Sequence, residues 1–208
     1  MYSLASIFAG SFVIGFTGAI MPGPVLTLTI SQAARGGWRS GPMIAFGHGL
    51  LEFLLVMAVM IGLGRVLTAP LVMKTLGITG GLTLAVMGAA AILKAGGGSG
   101  PGEDRPAMAP VRWTVSGAVV SASNPYFIIW WATVGLGYLA LAGRLGVSGV
   151  AAFYFGHVLS DILWYTVVAA LISSGKGFMG TRGYRVLTVF CGAVLVLFGG
   201  LFVFKTLH

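Results

Sequence analysis

Long apolar runs almost free of charge constrain this chain more than any other feature. Six of them, each near the roughly 20 residues a helix needs to cross a bilayer, occupy residues 4–30, 42–63, 70–93, 113–139, 150–172 and 184–204. Charged side chains make up 8% of the sequence and hydrophobic ones 57%, with a mean hydropathy of +0.99. A soluble domain carries roughly 25% charged residues, because its surface must face water. So few charges cannot clothe such a surface, and a bilayer supplies the apolar solvent instead. The expectation is an all-α polytopic membrane protein of about six transmembrane helices.

A net charge of +8 would point a soluble chain toward nucleic acid. Here the basic residues fall almost entirely between the apolar runs, where topology determinants belong, so no nucleic-acid partner is expected. The single cysteine, Cys191, excludes an internal disulfide framework and a multi-cysteine metal site. It reads as a small apolar helix residue, and no cofactor is expected. The opening stretch MYSLASIFAGSFVIGF has no Lys or Arg ahead of it, so it reads as part of the first span and not as a cleaved signal. Glycines inside the runs let helices approach closely. Gly77-x-x-x-Gly81 reads as such a packing face, and it permits a homodimer. Trp130 and Trp131, late in the fourth run, read as an interfacial aromatic belt.

The longest polar stretch, AGGGSGPGEDRPAMAPVR at residues 95–112, reads as a Gly/Pro-rich linker. It divides the chain into a first three-helix repeat, residues 1–94, and a second, residues 113–208, which together make one membrane domain. Alternate loops differ in basic content. One side collects Arg35, Arg39, Lys94, Arg105, Arg112, Lys176, Arg182 and Arg185; the other has Arg65, Lys74, Arg144 and Lys205. The richer side is expected in the cytoplasm, with Arg35 and Arg39 as anchors. The expectation is a multi-pass protein of the inner (plasma) membrane with both termini outside.

The two halves echo each other. The second run contains GHGLLE, with His48 and Glu52, and the fifth contains GHVLSD, with His157 and Asp161. Both fit Gly-His-x-x-x-acid, and the same offset separates the two histidines and the two acids. The remaining acids, Glu103 and Asp104, lie in the linker, so every acid within an apolar run belongs to this motif. The first run is also interrupted by MPGP (Met21, Pro22, Gly23, Pro24) and the fourth by SNP (Ser123, Asn124, Pro125). Three spans per half is an odd number, so the halves enter from opposite sides, as in inverted-repeat transporters.

These residue types suggest a pathway. Proline removes a backbone donor and clashes with the preceding turn, so both interruptions should break their helices. Freed backbone groups in hydrocarbon cost several kcal/mol unless they line a cavity or meet another segment. Both breaks fall near mid-depth, where half-helix ends offer N–H groups to anions and C=O groups to cations. His48 and Glu52 share a helix face, as do His157 and Asp161. Counted from Pro42, Glu52 is about 15 Å into its span. A charged acid there costs about 3 kcal/mol on the insertion scale, so both acids should face inward.

GFTGAIMPGPVLTLTISQAARGGWRSGPMIAFGHGLLE resembles the N-terminal signature of the LysE/RhtB-type amino-acid exporter family, through the PGP, the Ala-Arg-Gly at Arg35 and Gly36, and the Gly-His. SNPYFIIWW and GHVLSDILWY resemble its second-half counterparts. The resemblance covers nearly the whole chain. It implies a secondary transporter, not an enzyme, that exports amino acids or related small metabolites, with protons as coupling ion. It also implies that Pro22, Gly23, Pro24, Asn124 and Pro125 belong to the central site. In this reading His48, Glu52, His157 and Asp161 carry substrate or proton. The alternative is divalent-metal export, with the same two histidines and two acids as a four-ligand N/O set. His plus carboxylate serves both chemistries, so the sequence leaves them open.

Overall fold

The structure, a computed structural model, describes residues 2–96, 108–175 and 181–207, all of them helical or in short connections. The expected linker lies mostly outside the described residues. Among the described residues five helices are long and apolar enough to cross a membrane, or six spans result if one bent pair counts as a span.

That pair is α1, Leu4–Ala19, and α2, Pro24–Gly36, which meet at 78°. Ser3 starts α1 with a reciprocal capping box to Ser6. Gly23, with φ −128° and ψ 180°, is extended and caps α2, and Pro24 takes its first turn, where a missing N–H costs nothing. The interruption at MPGP is therefore a true break. The second run forms α3, Ser40–Ala58, which continues through a π-helical turn, Val59–Leu63, into the short α4, Gly64–Leu67. Gly62 closes that turn at φ 103°, a conformation that favours glycine. α5, Pro70–Gly96, is continuous despite its glycines and Lys74.

The fourth run is broken as the Ser-Asn-Pro predicts. α6, Pro110–Ala122, ends before Asn124, whose side chain accepts from the Tyr126 N–H and caps α7, Pro125–Trp130. A second π-helical turn, Trp131–Gly135, joins α7 to α8, Leu136–Gly143. α9, Gly146–Ser174, and α10, Thr181–Leu207, are uninterrupted. Apart from the starts at Leu4 and Pro70, which coincide with the predicted runs, the ends lie a few residues beyond them, because helices continue into the interface where side chains can be polar.

α3 packs on α6 and α9, while α9 packs on α1, α2 and α8. α5 and α10 form a close pair that joins the rest through α7. Gly81 and Gly199 face each other's backbone there, so Gly77-x-x-x-Gly81 is a packing face as expected. Two apolar cores result. One gathers Leu26, Ile30, Ala33, Ile44, Trp113 and Ile172, toward the Arg-rich loops. The other gathers Ile7, Val56, Phe127, Leu139, Val150 and Phe153, toward the opposite side. Along α3 and α9 the repeated His and acid motifs fall between them.

Candidate functional site

α3 and α9 cross in opposite senses. A Cβ at Gly41 would meet the Tyr165 carbonyl, Gly49 lies against Val158, and the Tyr154 hydroxyl donates to the Gly49 carbonyl at 3.1 Å. Rising numbers on α3 thus pair with falling numbers on α9. Each helix carries histidine at i and acid at i+4 on one face, so the crossing sets the histidine of one beside the acid of the other. The four close into a ring of alternating imidazole and carboxylate. His157 Nε2 lies 2.9 Å from Glu52 Oε1, which lies 3.3 Å from His48 Nε2. His48 Nε2 is 3.8 Å from Asp161 Oδ2, which is 3.6 Å from His157 Nε2.

The ring is sealed from lipid: Glu52 is 1% exposed, Asp161 2%, His157 4% and His48 9%. That inward placement is what the cost of an intramembrane charge demands. Trp131 Nε1–H donates to Glu52 Oε1 at 3.1 Å, and Ser121 Oγ stands 2.6 Å from His48 Nδ1. Glycine makes the second contact reachable. A Cβ at Gly47 would collide with the Thr114 carbonyl and one at Gly117 with the Ile44 carbonyl, so α3 and α6 meet backbone to backbone. The His157 ring is held by Trp130, with centroids 4.8 Å apart, and by Phe153, stacked at 18°.

One placement corrects the sequence reading. Trp130 and Trp131 are not an interfacial belt; they are 8% and 1% exposed and both line the central cavity. The reason is local. The π-helical turn begins at Trp131 and widens the helix just after the Asn124 break, and Glu52 offers the indole N–H a buried acceptor that the interface would otherwise provide.

The cavity measures ≈ 470 Å³ counting its open mouth. His48, Glu52, His157, Asp161, Met21, Gly23 and Asn124 line it, as do Tyr126, Phe127 and Tyr165, which the sequence did not single out. Pro22 and Pro24 stand at the break without being among the lining residues, and Pro125 is the first residue of α7. Asn124 is buried, and its amide nitrogen lies 4.0 Å from where a Cβ on Gly23 would stand, so the two breaks meet in the cavity. Glu52 Oε2 and Asp161 Oδ2 are buried without a hydrogen-bond partner among the described residues. His48, Glu52 and Asp161 also bring one donor atom each within 4.8 Å of the others. Among the described residues no hydroxyl or thiol is paired with the ring as an activated nucleophile would be; the one hydroxyl that reaches it, Ser121, donates to the Gly117 carbonyl at 2.7 Å.

The chain is similar over 202 residues, at 26% identity, to the chemotactic transduction protein ChpE of Pseudomonas aeruginosa, covering 95% of this chain and 98% of that one. No solved structure matches it. The model of the LysE type translocator family matches residues 16–206, nearly the whole chain and both broken segments with the ring between them. With its multiple membrane spans and buried polar chamber, this chain belongs to the LysE type translocator family: it is a multi-pass membrane transporter of small molecules and not an enzyme.

Proposed function

We propose that the protein exports amino acids or related small zwitterionic metabolites across the inner membrane in exchange for protons. The observation that carries this reading is the buried ring of His48, Glu52, His157 and Asp161 opening onto a cavity where two helix breaks meet. A zwitterion needs acceptors for its ammonium and donors for its carboxylate. Glu52 Oε2 and Asp161 Oδ2 are the acceptors. The donors are the first free N–H groups of α2, at Val25 and Leu26, with the amide nitrogen of Asn124. The ring offers the proton a place to reside while the solute is absent.

In this reading residues 1–94 and 113–208 are inverted repeats. Reciprocal packing supports it: the middle helix of each half, α3 or α9, lies on the first half-helix of the other, α6 or α1. Alternating access then follows from rocking one half against the other, each apolar core opening in turn while the other stays closed. The basic loops place the Leu26–Trp113 core toward the cytoplasm and both termini outside.

Export of a divalent cation is the second reading, favoured by the 4.8 Å grouping of His48, Glu52 and Asp161. Against it, Glu52 Oε1 already faces Trp131, His157 and His48, so an ion would find only Oε2 of that carboxylate free. The deciding experiment loads proteoliposomes with each amino acid in turn, or with Mn²⁺ or Zn²⁺, and imposes a pH gradient. We expect efflux of at least one amino acid coupled to proton entry, lost in the Glu52→Gln, Asp161→Asn double variant. Efflux of metal alone, or amino-acid efflux untouched by that variant, overturns the reading.

A further inference from the structure

The two histidines of the ring are related by the sequence repeat but not by their surroundings. His48 Nδ1 lies 2.6 Å from Ser121 Oγ, and the same oxygen lies 2.7 Å from the Gly117 carbonyl, to which its hydroxyl donates. A serine hydroxyl has one proton. If that proton went to His48, the 2.7 Å approach to the carbonyl would be a bare contact between two oxygens. With the hydroxyl directed at the carbonyl, both short contacts are hydrogen bonds, and His48 Nδ1–H is the donor to Ser121. A neutral His48 then carries its lone pair on Nε2, the atom facing Glu52 at 3.3 Å and Asp161 at 3.8 Å.

His157 is the reverse. Its Nδ1 is buried without a hydrogen-bond partner among the described residues. It looks onto α1 at Gly15, where an added Cβ would come within 2.8 Å of it; Ser160 Oγ stands beside the same point, but its hydroxyl donates to the His157 carbonyl at 2.7 Å and makes no bond to the ring. A proton there would be an orphaned buried donor, the rarer and costlier kind. His157 therefore keeps its proton on Nε2 and donates it to Glu52 Oε1 at 2.9 Å. Ser121 on α6 and Gly15 on α1 occupy matching places, each where a first half-helix meets the histidine of the other half. The symmetry is broken at that contact.

We propose that Ser121 is a positioning residue that fixes His48 as the Nδ1–H tautomer, so that the ring's exchangeable proton is taken up at His48 Nε2, while His157 is a permanent N–H donor that holds Glu52. Loading converts the neutral His48 imidazole to imidazolium by adding one proton at Nε2; Nδ1–H stays on Ser121 throughout. The groups facing that nitrogen are Glu52 on its own helix and Asp161 and His157 on α9, with Tyr165 of α9 and Tyr126 of α7 lining the same cavity and no titratable side chain offered by α6 at this level. The inference rests on the proton-exchange reading above.

The test is the ¹⁵N spectrum of the full chain labelled at histidine, in lipid nanodiscs with a chelator present, followed across pH. Signals are assigned with His48→Gln, His157→Gln and a variant lacking His208. We expect His48 to show a protonated Nδ1 at every pH and an Nε2 that passes from pyridine-type to protonated as pH falls, with His157 Nε2–H unchanged over that range. Ser121→Ala should convert neutral His48 wholly or partly to the Nε2–H form, and Ser121→Thr, which keeps the hydroxyl, should not. An Nε2–H His48 in the wild-type protein, a titrating Nδ1 on His157, or a Ser121→Ala spectrum like the parent overturns the proposal; the wild-type spectrum decides even where a variant fails to fold. No transported solute is needed, so a negative result here leaves the efflux measurement standing, and failed efflux leaves this result standing.

Discussion

Glu52 of α3 and His157 of α9 meet at 2.9 Å, Oε1 to Nε2, although they are 105 residues apart in the chain. The contact is one side of a four-membered polar ring, and the ring closes only because α3 and α9 run in opposite senses. Glu52 is its most heavily bonded member, while Asp161 Oδ2 has ion-pair neighbours at 3.6 and 3.8 Å but no hydrogen-bond partner. The two acids should therefore respond differently. Glu52→Ala removes the acceptor of Trp131 and His157 together and should destabilise the protein by about 3–5 kcal/mol, the cost of breaking a buried pair. Asp161→Asn keeps the shape and should leave the unfolding midpoint in detergent within about 1 kcal/mol of the parent while abolishing exchange. Equal midpoint shifts for the two would contradict the assigned division.

Trp131→Phe isolates one bond. The phenyl ring keeps most of the packing against Phe127 and Phe153 but removes the N–H that Glu52 accepts. A buried hydrogen bond to a charged group is worth about 1.5–3 kcal/mol, and the variant should lose stability by that amount. Trp130→Phe leaves the Trp131–Glu52 hydrogen bond in place and should cost less. Paired unfolding curves of the two variants measure the difference directly.

The sequence made the spans, both helix breaks and the four ring residues legible, and the reasons differ. Spans follow from the solvent, since about 20 apolar residues have few other uses. The acids stood out because charge inside an apolar run must be satisfied. Tyr165 was also within reach: it follows His157 and Asp161 at four-residue spacing on the same face of α9. Phe127 and Trp131 share that spacing after the Asn124 break. Ser121 carried no such signal. Its role depends on how near α6 comes to α3, which Gly47 and Gly117 determine across two separate helices. The tryptophans were misplaced because a belt is the default for Trp near a span end, and the π-helical turn that redirects Trp131 has no signature in composition.

The α3–α6 approach gives its own prediction. Gly47→Val and Gly117→Val each push a branched side chain against a backbone carbonyl, of Thr114 and Ile44 respectively, which cannot swing aside. Overpacking costs about 1–3 kcal/mol where neighbours adapt, and more is expected against backbone. Both variants should give little folded protein in the membrane fraction by size-exclusion profile. Gly137→Val, at a glycine whose Cβ would meet nothing, is the control and should fold like the parent.

Orientation can be read with single cysteines, because Cys191 is 2% exposed and should resist an impermeant maleimide in intact cells. Tyr2 and Trp38 are 58% and 50% exposed, at the start of α1 and between α2 and α3. The proposed orientation, which follows the excess of Lys and Arg near Trp38, has that loop in the cytoplasm. Tyr2→Cys should then label in intact cells, and Trp38→Cys only after permeabilisation. The opposite pattern would reverse the assigned topology and the direction in which each apolar core opens.

Gly23 separates a conformational need from a spatial one. Its backbone is extended, at φ −128° and ψ 180°, which any residue adopts, so the break in the first span does not depend on glycine's freedom. A Cβ there would stand 3.5 Å from the Met21 carbonyl and 4.0 Å from the Asn124 amide nitrogen, both ordinary contacts. Gly23→Ala should fold and transport, with a gain of about 0.4–1 kcal/mol from the stiffer unfolded chain. Gly23→Leu makes the same backbone demand but projects a branched side chain into the cavity between α2 and Asn124. It should reach the membrane in parental amounts and bring efflux to background. If alanine also abolishes efflux while folding is preserved, the space beside Asn124 is occupied during transport by a group that tolerates not even one methyl.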